Sequence, residues 1–67
     1  MPVIESEQQE DDRWIAEVTA LPGVLAYGRT KAETNAKVQA LALRVIADRL
    51  ENGEQLPREI ADVFEAA

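Results

Sequence analysis

The sequence predicts a small α+β domain in which a short antiparallel sheet packs against one long helix. Residues 3 to 27 contain short segments in which apolar and polar residues alternate, which is typical of half-buried strands. From residue 30 to about residue 51, good helix formers predominate, and apolar residues recur at helical spacing. A chain of 67 residues is expected to form one domain, and so small a domain favours oligomerisation.

The first two strands are predicted to form a hairpin. Residues 3 to 8 alternate loosely, and the acidic run at residues 10 to 12 is expected to be an exposed turn. In the next segment the residues of one strand face are Trp14, Ala16 and Val18, whereas Arg13, Ile15 and Glu17 fall on the other face.

A turn at Leu21-Pro22-Gly23 separates this hairpin from a third short strand at residues 24 to 27. Proline lacks a backbone donor and glycine tolerates positive φ, so the pairing is expected to break here. Thr30 and Glu33 then have the spacing of a capping box, which predicts the start of the helix. Asn52-Gly53 predicts its end.

The predicted helix is apolar on two opposite sides. The stripe expected to pack on the sheet is Thr34, Val38, Leu41, Ala42 and Val45. The opposite side carries Ala36, Ala40, Leu43 and Ala47, with Ile46 and Leu50 adjoining it. A helix of this kind is normally buried on both sides, so the second side is predicted to meet the C-terminal segment or to form a homo-oligomer interface, in a dimer or tetramer.

The C-terminal segment, residues 56 to 67, is ambiguous by its periodicity. Pro57 suits either a turn or the first turn of a new helix. Ile60, Val63 and Phe64 fit the spacing of a helix as well as that of a strand.

Charge and hydropathy limit the classes of partner that the chain is expected to bind. The chain has 13 acidic and 7 basic residues, a net charge of −6, and its cations are spread singly. It should repel nucleic acid, and a basic protein is a better partner. The N-terminus lacks the pattern of a signal peptide, and the longest apolar stretch, residues 38 to 47, is too short to cross a bilayer. We therefore expect a cytoplasmic protein without a membrane partner.

The composition offers little for catalysis. Histidine and cysteine are both absent, which removes the commonest general base, the commonest metal ligand and the thiol nucleophile. We expect no catalytic residues, no metal site and no cofactor. One enzymatic alternative depends on Pro2: if Met1 is removed, Pro2 is a secondary amine that could act as a base, as in the tautomerase superfamily. That superfamily, however, follows its first strand directly with a long helix.

Residues 14 to 23, followed by Gly28, Thr30 and Glu33, resemble the N-terminal domain of the HicB family of antitoxins. The family pattern is an aromatic-led strand ending in Leu-Pro-Gly, a short strand ending in Gly-x-Thr, and a helix whose first turn carries Glu. The resemblance extends over most of the chain. Val24 and Thr34 differ from residues that the family often has at these positions, and neither change threatens the fold.

The resemblance implies a β-β-β-α-β order, a partial RNase H-like arrangement with a fourth strand near residues 62 to 66. It also implies a partner, the HicA toxin, a small basic ribonuclease that the antitoxin masks without chemistry of its own. Full HicB antitoxins usually continue into a DNA-binding domain, which this sequence lacks, so operator binding is not carried over. An orphan structural oligomer whose toxin has been lost stays an open alternative.

The acidic turn is the predicted toxin contact, with Glu7, Glu10, Asp11 and Asp12 as its residues. It would steer a basic partner, although a merely solvated turn is the simpler interpretation, and its spacing matches no calcium loop. Trp14 could be a core anchor or an exposed hot spot. Tyr27 is expected to pack with its hydroxyl at the surface.

Overall fold

A computed structural model, which describes residues 3 to 61, confirms a three-stranded antiparallel sheet packed against one long helix. The strands are β1 (Ile4–Gln8), β2 (Trp14–Val18) and β3 (Leu25–Gly28), in the spatial order β1-β2-β3. The helices are α1 (Lys31–Glu51) and the single-turn α2 (Arg58–Ala61). Within residues 3 to 61 no helix combines the length and apolar character that crossing a membrane requires.

Residues 9 to 13 connect β1 to β2, and the three-residue loop between Gln9 and Arg13 sets the register of the two strands. The Asp12 N–H donates to the Gln9 carbonyl at 3.0 Å, and the Gln9 N–H donates to the Arg13 carbonyl at 2.6 Å. Asp12 has a φ of 69°, so the loop is a tight turn followed by one left-handed residue, a conformation that Asp tolerates better than most residues do. The resulting register places Glu5 opposite Glu17.

The turn between β2 and β3 closes one end of the core. The Val24 N–H donates to the Leu21 carbonyl at 3.0 Å, with Pro22 and Gly23 between them. Gly23 has a φ of 87°, and proline followed by a left-handed glycine defines a type II turn. Because Leu21 is fully buried, the turn reverses the chain and also contributes an anchor to the interior.

Capping interactions fix both ends of α1 where the sequence predicts them. At the N-terminus, Thr30 Oγ1 accepts the Glu33 N–H at 3.0 Å, and the Glu33 carboxylate accepts the Arg29 N–H at 3.2 Å. At the C-terminus, Gly53 has a φ of 72° and its N–H donates to the Leu50 carbonyl at 3.1 Å. The Glu54 N–H donates to the Arg49 carbonyl at 2.9 Å, which completes a Schellman motif.

The core lies between the sheet and α1. Its buried apolar side chains come from β2, the type II turn, α1 and α2, and they are Ala16, Val18, Leu21, Val24, Val38, Ala42 and Ile60. Leu41 and Val45 pack against them as predicted. Ile46, which the sequence pattern places beside the opposite side of the helix, is partly buried and also packs against this core.

The C-terminal segment begins as a helix. Pro57 provides the carbonyl that accepts the N–H groups of Ile60 and Ala61, both at 2.9 Å, so it occupies the first turn of α2. Ile60 is only 1% exposed, which ties this short helix to the core. The fourth strand that the resemblance implies, near residues 62 to 66, lies outside the described residues.

Gly28, at the end of β3, lies unusually close to the first turns of α1. A Cβ atom at this position would overlap Oγ1 of Thr34 and would lie 3.2 Å from the Thr34 backbone nitrogen. Thr34 is fully buried, and its hydroxyl donates to the Thr30 carbonyl at 2.7 Å. Strand and helix therefore approach each other more closely than any side chain at position 28 would allow.

We expect Gly28→Ala to lower the free energy of unfolding by about 1–3 kcal/mol, the usual cost of forcing an extra carbon into a packed site. Urea denaturation followed by circular dichroism measures this change. In a Thr34→Ala background the overlapping hydroxyl is gone, so Gly28→Ala should cost less there than in the wild type. An equal cost in both backgrounds would show that this contact is not the cause.

A second prediction concerns pH. Hydrogen bonds from the Lys37 side chain and from the Arg29 backbone N–H lower the pKa of Glu33 below its ordinary value of 4.5. A carboxyl whose pKa is lower in the folded state stabilises the fold above its unfolded-state pKa, and this stabilisation is lost as the pH falls through the folded-state pKa. Wild type should therefore be more stable than Glu33→Gln at pH 7, and the difference should shrink as the pH falls below 4.5 and through the lowered folded-state pKa.

Thermal unfolding of both proteins between pH 3 and pH 7 tests this expectation. Glu54→Gln is the matched control, because Glu54 is an exposed carboxylate beyond the end of α1. The control should change the unfolding temperature little across this range. A gap between wild type and Glu33→Gln that does not narrow as the pH falls below 4.5 would contradict the assignment.

Candidate protein-docking surfaces

The long helix α1 packs on one face of the sheet, and α2 joins the core through Ile60. Residues that alternate along β2 line the core, and the intervening residues of the three strands form the opposite surface, which we call the open face. Its members are Glu5, Glu7, Ile15, Glu17, Leu25 and Tyr27. Leu25 is 37% and Tyr27 is 49% exposed, so the surface combines apolar side chains with carboxylates.

The carboxylates of the open face are neighbours. Glu5 lies directly opposite Glu17 on the adjacent strand, and Glu7 lies two residues further along β1. Like charges directly opposite each other destabilise a strand pair. Among the described residues the ion pairs are Asp11 with Arg13 and Glu33 with Lys37, and neither involves these three carboxylates. The open face is thus an acidic surface whose three glutamates make no ion pair with a described residue, because the cation that lies beside it, Arg13, is paired with Asp11.

Tyr27 is a surface residue of the open face. It follows Glu7 and Ile15 in one row across the sheet, and the Arg13 guanidinium lies 5.6 Å from the centre of its ring. This separation is suitable for a cation–π interaction. The expectation that Tyr27 packs with only its hydroxyl at the surface is therefore wrong, because its strand position places the ring on the side away from α1.

The structure divides the predicted toxin-contact residues between two places. Glu7 belongs to the open face, whereas Glu10, Asp11 and Asp12 lie in the loop between β1 and β2. Asp11 Oδ2 lies 2.7 Å from Arg13 Nε, and its Oδ1 accepts the Arg13 N–H at 3.3 Å. Desolvation raises the pKa of Asp11, but the hydrogen bonds and charge of Arg13 outweigh it, and the net shift of the pKa is downward. One carboxylate of the loop is therefore already paired within the chain.

Sequence reasoning missed Glu17 as a candidate contact residue, and it considered Glu5 only as part of the acidic cluster that ends at Asp12. The alternation of β2 places Glu17 on the face away from Trp14 and Val18, but the partner of Glu17 on β1 depends on how many residues the loop contains. Counting back across the three-residue loop would have brought Glu5 and Glu17 together. The positive φ of Asp12, which makes so short a loop possible, has no clear sequence signal.

The side of α1 opposite the core forms a second candidate surface. We call it the outer stripe, and it consists of Ala36, Ala40, Leu43, Ala47 and Leu50. Leu43 is 65% and Leu50 is 53% exposed. The described part of the C-terminal segment does not cover the outer stripe, because Leu56 and Ile60 pack on the core instead.

For the other positions that the sequence singles out, the structure gives a location but no role. Trp14 is half-buried on the helix side of the sheet, opposite Gly28, so the open face does not include it. Pro2, the candidate base of a tautomerase, lies outside the described residues. The described residues contain no cluster of three or more acidic side chains arranged to hold a metal ion.

Comparison with known proteins adds no further assignment. No protein-family model, no curated protein and no solved structure matches this chain. The resemblance to HicB antitoxins has the sequence motifs named above as its support. What the protein binds must therefore be inferred from the open face and the outer stripe.

Proposed function

We propose that the protein is a protein-binding module that docks a basic partner on its open face, as an antitoxin docks and masks a toxin. The observation that carries this proposal is the placement of Glu5, Glu7 and Glu17 beside exposed apolar side chains on one face of the sheet. Catalysis by this chain has no part in the proposed mechanism.

The chemistry of the open face fits a partner that presents Lys or Arg beside apolar groups. Burial of the Tyr27 ring would supply affinity, because aromatic side chains remove a large apolar area from water. The carboxylates would supply orientation and a fast association rate. Glu5 and Glu17 repel each other in the free protein, so a cation placed between them would relieve that repulsion.

The specific partner we propose is a HicA-type ribonuclease in the cytoplasm. Two observations support it, namely the HicB-like motifs in residues 14 to 33 and the excess of 13 acidic over 7 basic residues. A ribonuclease binds RNA phosphates largely through its Lys and Arg side chains. If the open face covered those same cations, the antitoxin would exclude RNA by occupying its binding site. The chain itself would bind no nucleic acid.

A charge-neutralised variant tests the contact surface. Replacing Glu5, Glu7 and Glu17 together by Gln should weaken binding of a HicA-type ribonuclease toxin by at least about tenfold, mainly through the loss of charge complementarity. Isothermal titration calorimetry with the purified toxin measures the dissociation constant. The matched control is Glu10→Gln with Asp12→Asn and Glu54→Gln, which removes the same net charge elsewhere and should change affinity much less.

The two triple variants also separate the open face from the loop that the sequence predicts as the contact. Loss of binding only in the control variant would assign the contact to the loop. Equal weakening in both would indicate attraction by net charge without a defined site. The antitoxin role itself requires that the wild-type chain suppress RNA cleavage by that toxin, and cleavage that continues unchanged at excess chain would remove this role.

A further inference from the structure

The outer stripe of α1 has the character of a self-association surface. We infer that a second copy of the chain packs on it, with the two α1 helices antiparallel about a two-fold axis. This inference does not depend on what the open face binds. It rests on the spacing of the stripe, on the sizes of its side chains and on the distribution of charge over the molecule.

The spacing of the outer stripe is that of a helix–helix seam. Its five residues are separated alternately by four and three positions, which keeps them on one side of α1 over the length of the helix. Val38 and Ala42, on the opposite side, are buried against the sheet. Because Leu43 and Leu50 remain more than half exposed, α1 has one apolar side that the described chain leaves unburied.

The side chains of the outer stripe are complementary to those of the same stripe on a second copy whose α1 runs in the opposite direction. In an antiparallel pair centred near Val45, Leu43 faces Ala47 of the second copy, and Leu50 faces Ala40 of the second copy. Each large side chain then packs over a small one, and the two-fold axis repeats both contacts. An interface between identical copies requires this kind of self-complementarity.

Charge favours the helix side over the sheet side for contact between like chains. α1 carries four cations and three anions, which leaves three cations and ten anions for the rest of the chain. Two open faces brought together would set Glu5, Glu7 and Glu17 against their own copies. Two outer stripes meet without a comparable excess of one sign, so self-association through α1 is not opposed by net charge.

The charges along the polar border of the stripe, together with the helix dipoles, favour the antiparallel direction. In the pair centred near Val45, Lys37, whose ammonium pairs with Glu33 of its own chain, lies on the same border as Glu51 of the second copy. The two Arg44 side chains meet near the axis, where Asp48 of each copy lies one turn away. Antiparallel helices also align their macrodipoles favourably, whereas parallel helices do not.

The resulting dimer would have four layers, in the order sheet, helix, helix, sheet. The open faces would then lie on its two outer surfaces, far from the interface. Each copy could therefore dock a partner without blocking the other copy.

Sedimentation equilibrium on the full chain tests the interface. Wild type should show a species of twice the 7.4 kDa chain mass, and Leu43→Gln should weaken its dimerisation by at least about tenfold, because each dimer loses two buried leucines. Leu25→Gln is the matched control, since Leu25 is an exposed leucine of the open face, and it should dimerise like wild type. Circular dichroism confirms that the exposed substitutions leave the fold intact.

The direction of the helices is tested with a single spin label on Lys31→Cys, which is possible because the chain has no other cysteine. Pulsed electron paramagnetic resonance should give roughly 40 Å between the two labels, from 28 residues at about 1.5 Å per residue. A parallel pair would give roughly 10 Å, the usual distance between packed helices. A short distance, a monomer at all concentrations, or a dimer that Leu43→Gln does not weaken would each contradict the inference.

Discussion

The close approach of Gly28 to Thr34 is the contact on which the arrangement of the molecule depends. Gly28 lacks a side chain where β3 ends, and the Thr34 hydroxyl occupies that space while it bonds to the Thr30 carbonyl. With the first turn held against the sheet in this way, the rotation of α1 about its own axis is set. Thr34, Val38 and Ala42 then follow one another along the buried side. The outer stripe lies opposite them as a direct geometric consequence.

Because α1 is fixed in this orientation, the surface of the molecule has two chemically different sides, one on the sheet and one on the helix. The sheet side is acidic and interrupted by aromatic and aliphatic side chains, and the helix side is almost neutral with exposed leucines. Surfaces of these two kinds suit different partners, because net charge discriminates between a basic protein and an identical copy, whereas aliphatic packing does not. A chain this small can thus separate two binding roles simply by placing them on opposite sides of its core.

Local sequence signals were sufficient to predict the three strands and α1, but not α2. Thr30 with Glu33, Asn52 with Gly53, and the Leu-Pro-Gly turn each act through bonds between residues close in sequence, and each lies in the structure where the pattern indicated. Strand register was harder to predict, since the pairing of Glu5 with Glu17 depends on a left-handed residue in the loop between them. Helix faces are ambiguous only at their borders. Ile46, for example, lies between the buried side and the outer stripe and is partly buried against the core.

The opposed carboxylates of Glu5 and Glu17 also have a consequence for colloidal behaviour. Without these carboxylates, a sheet face that exposes Leu25 and Tyr27 would favour aggregation through contact between the faces of different molecules. At neutral pH the net charge of −6, part of it concentrated on that face, keeps the open faces of different molecules apart. The isoelectric point is about 4.4, so solubility should be lowest in mildly acidic buffers and high near neutrality. The surface that we propose to admit a cationic partner is therefore also the one that prevents precipitation while that partner is absent.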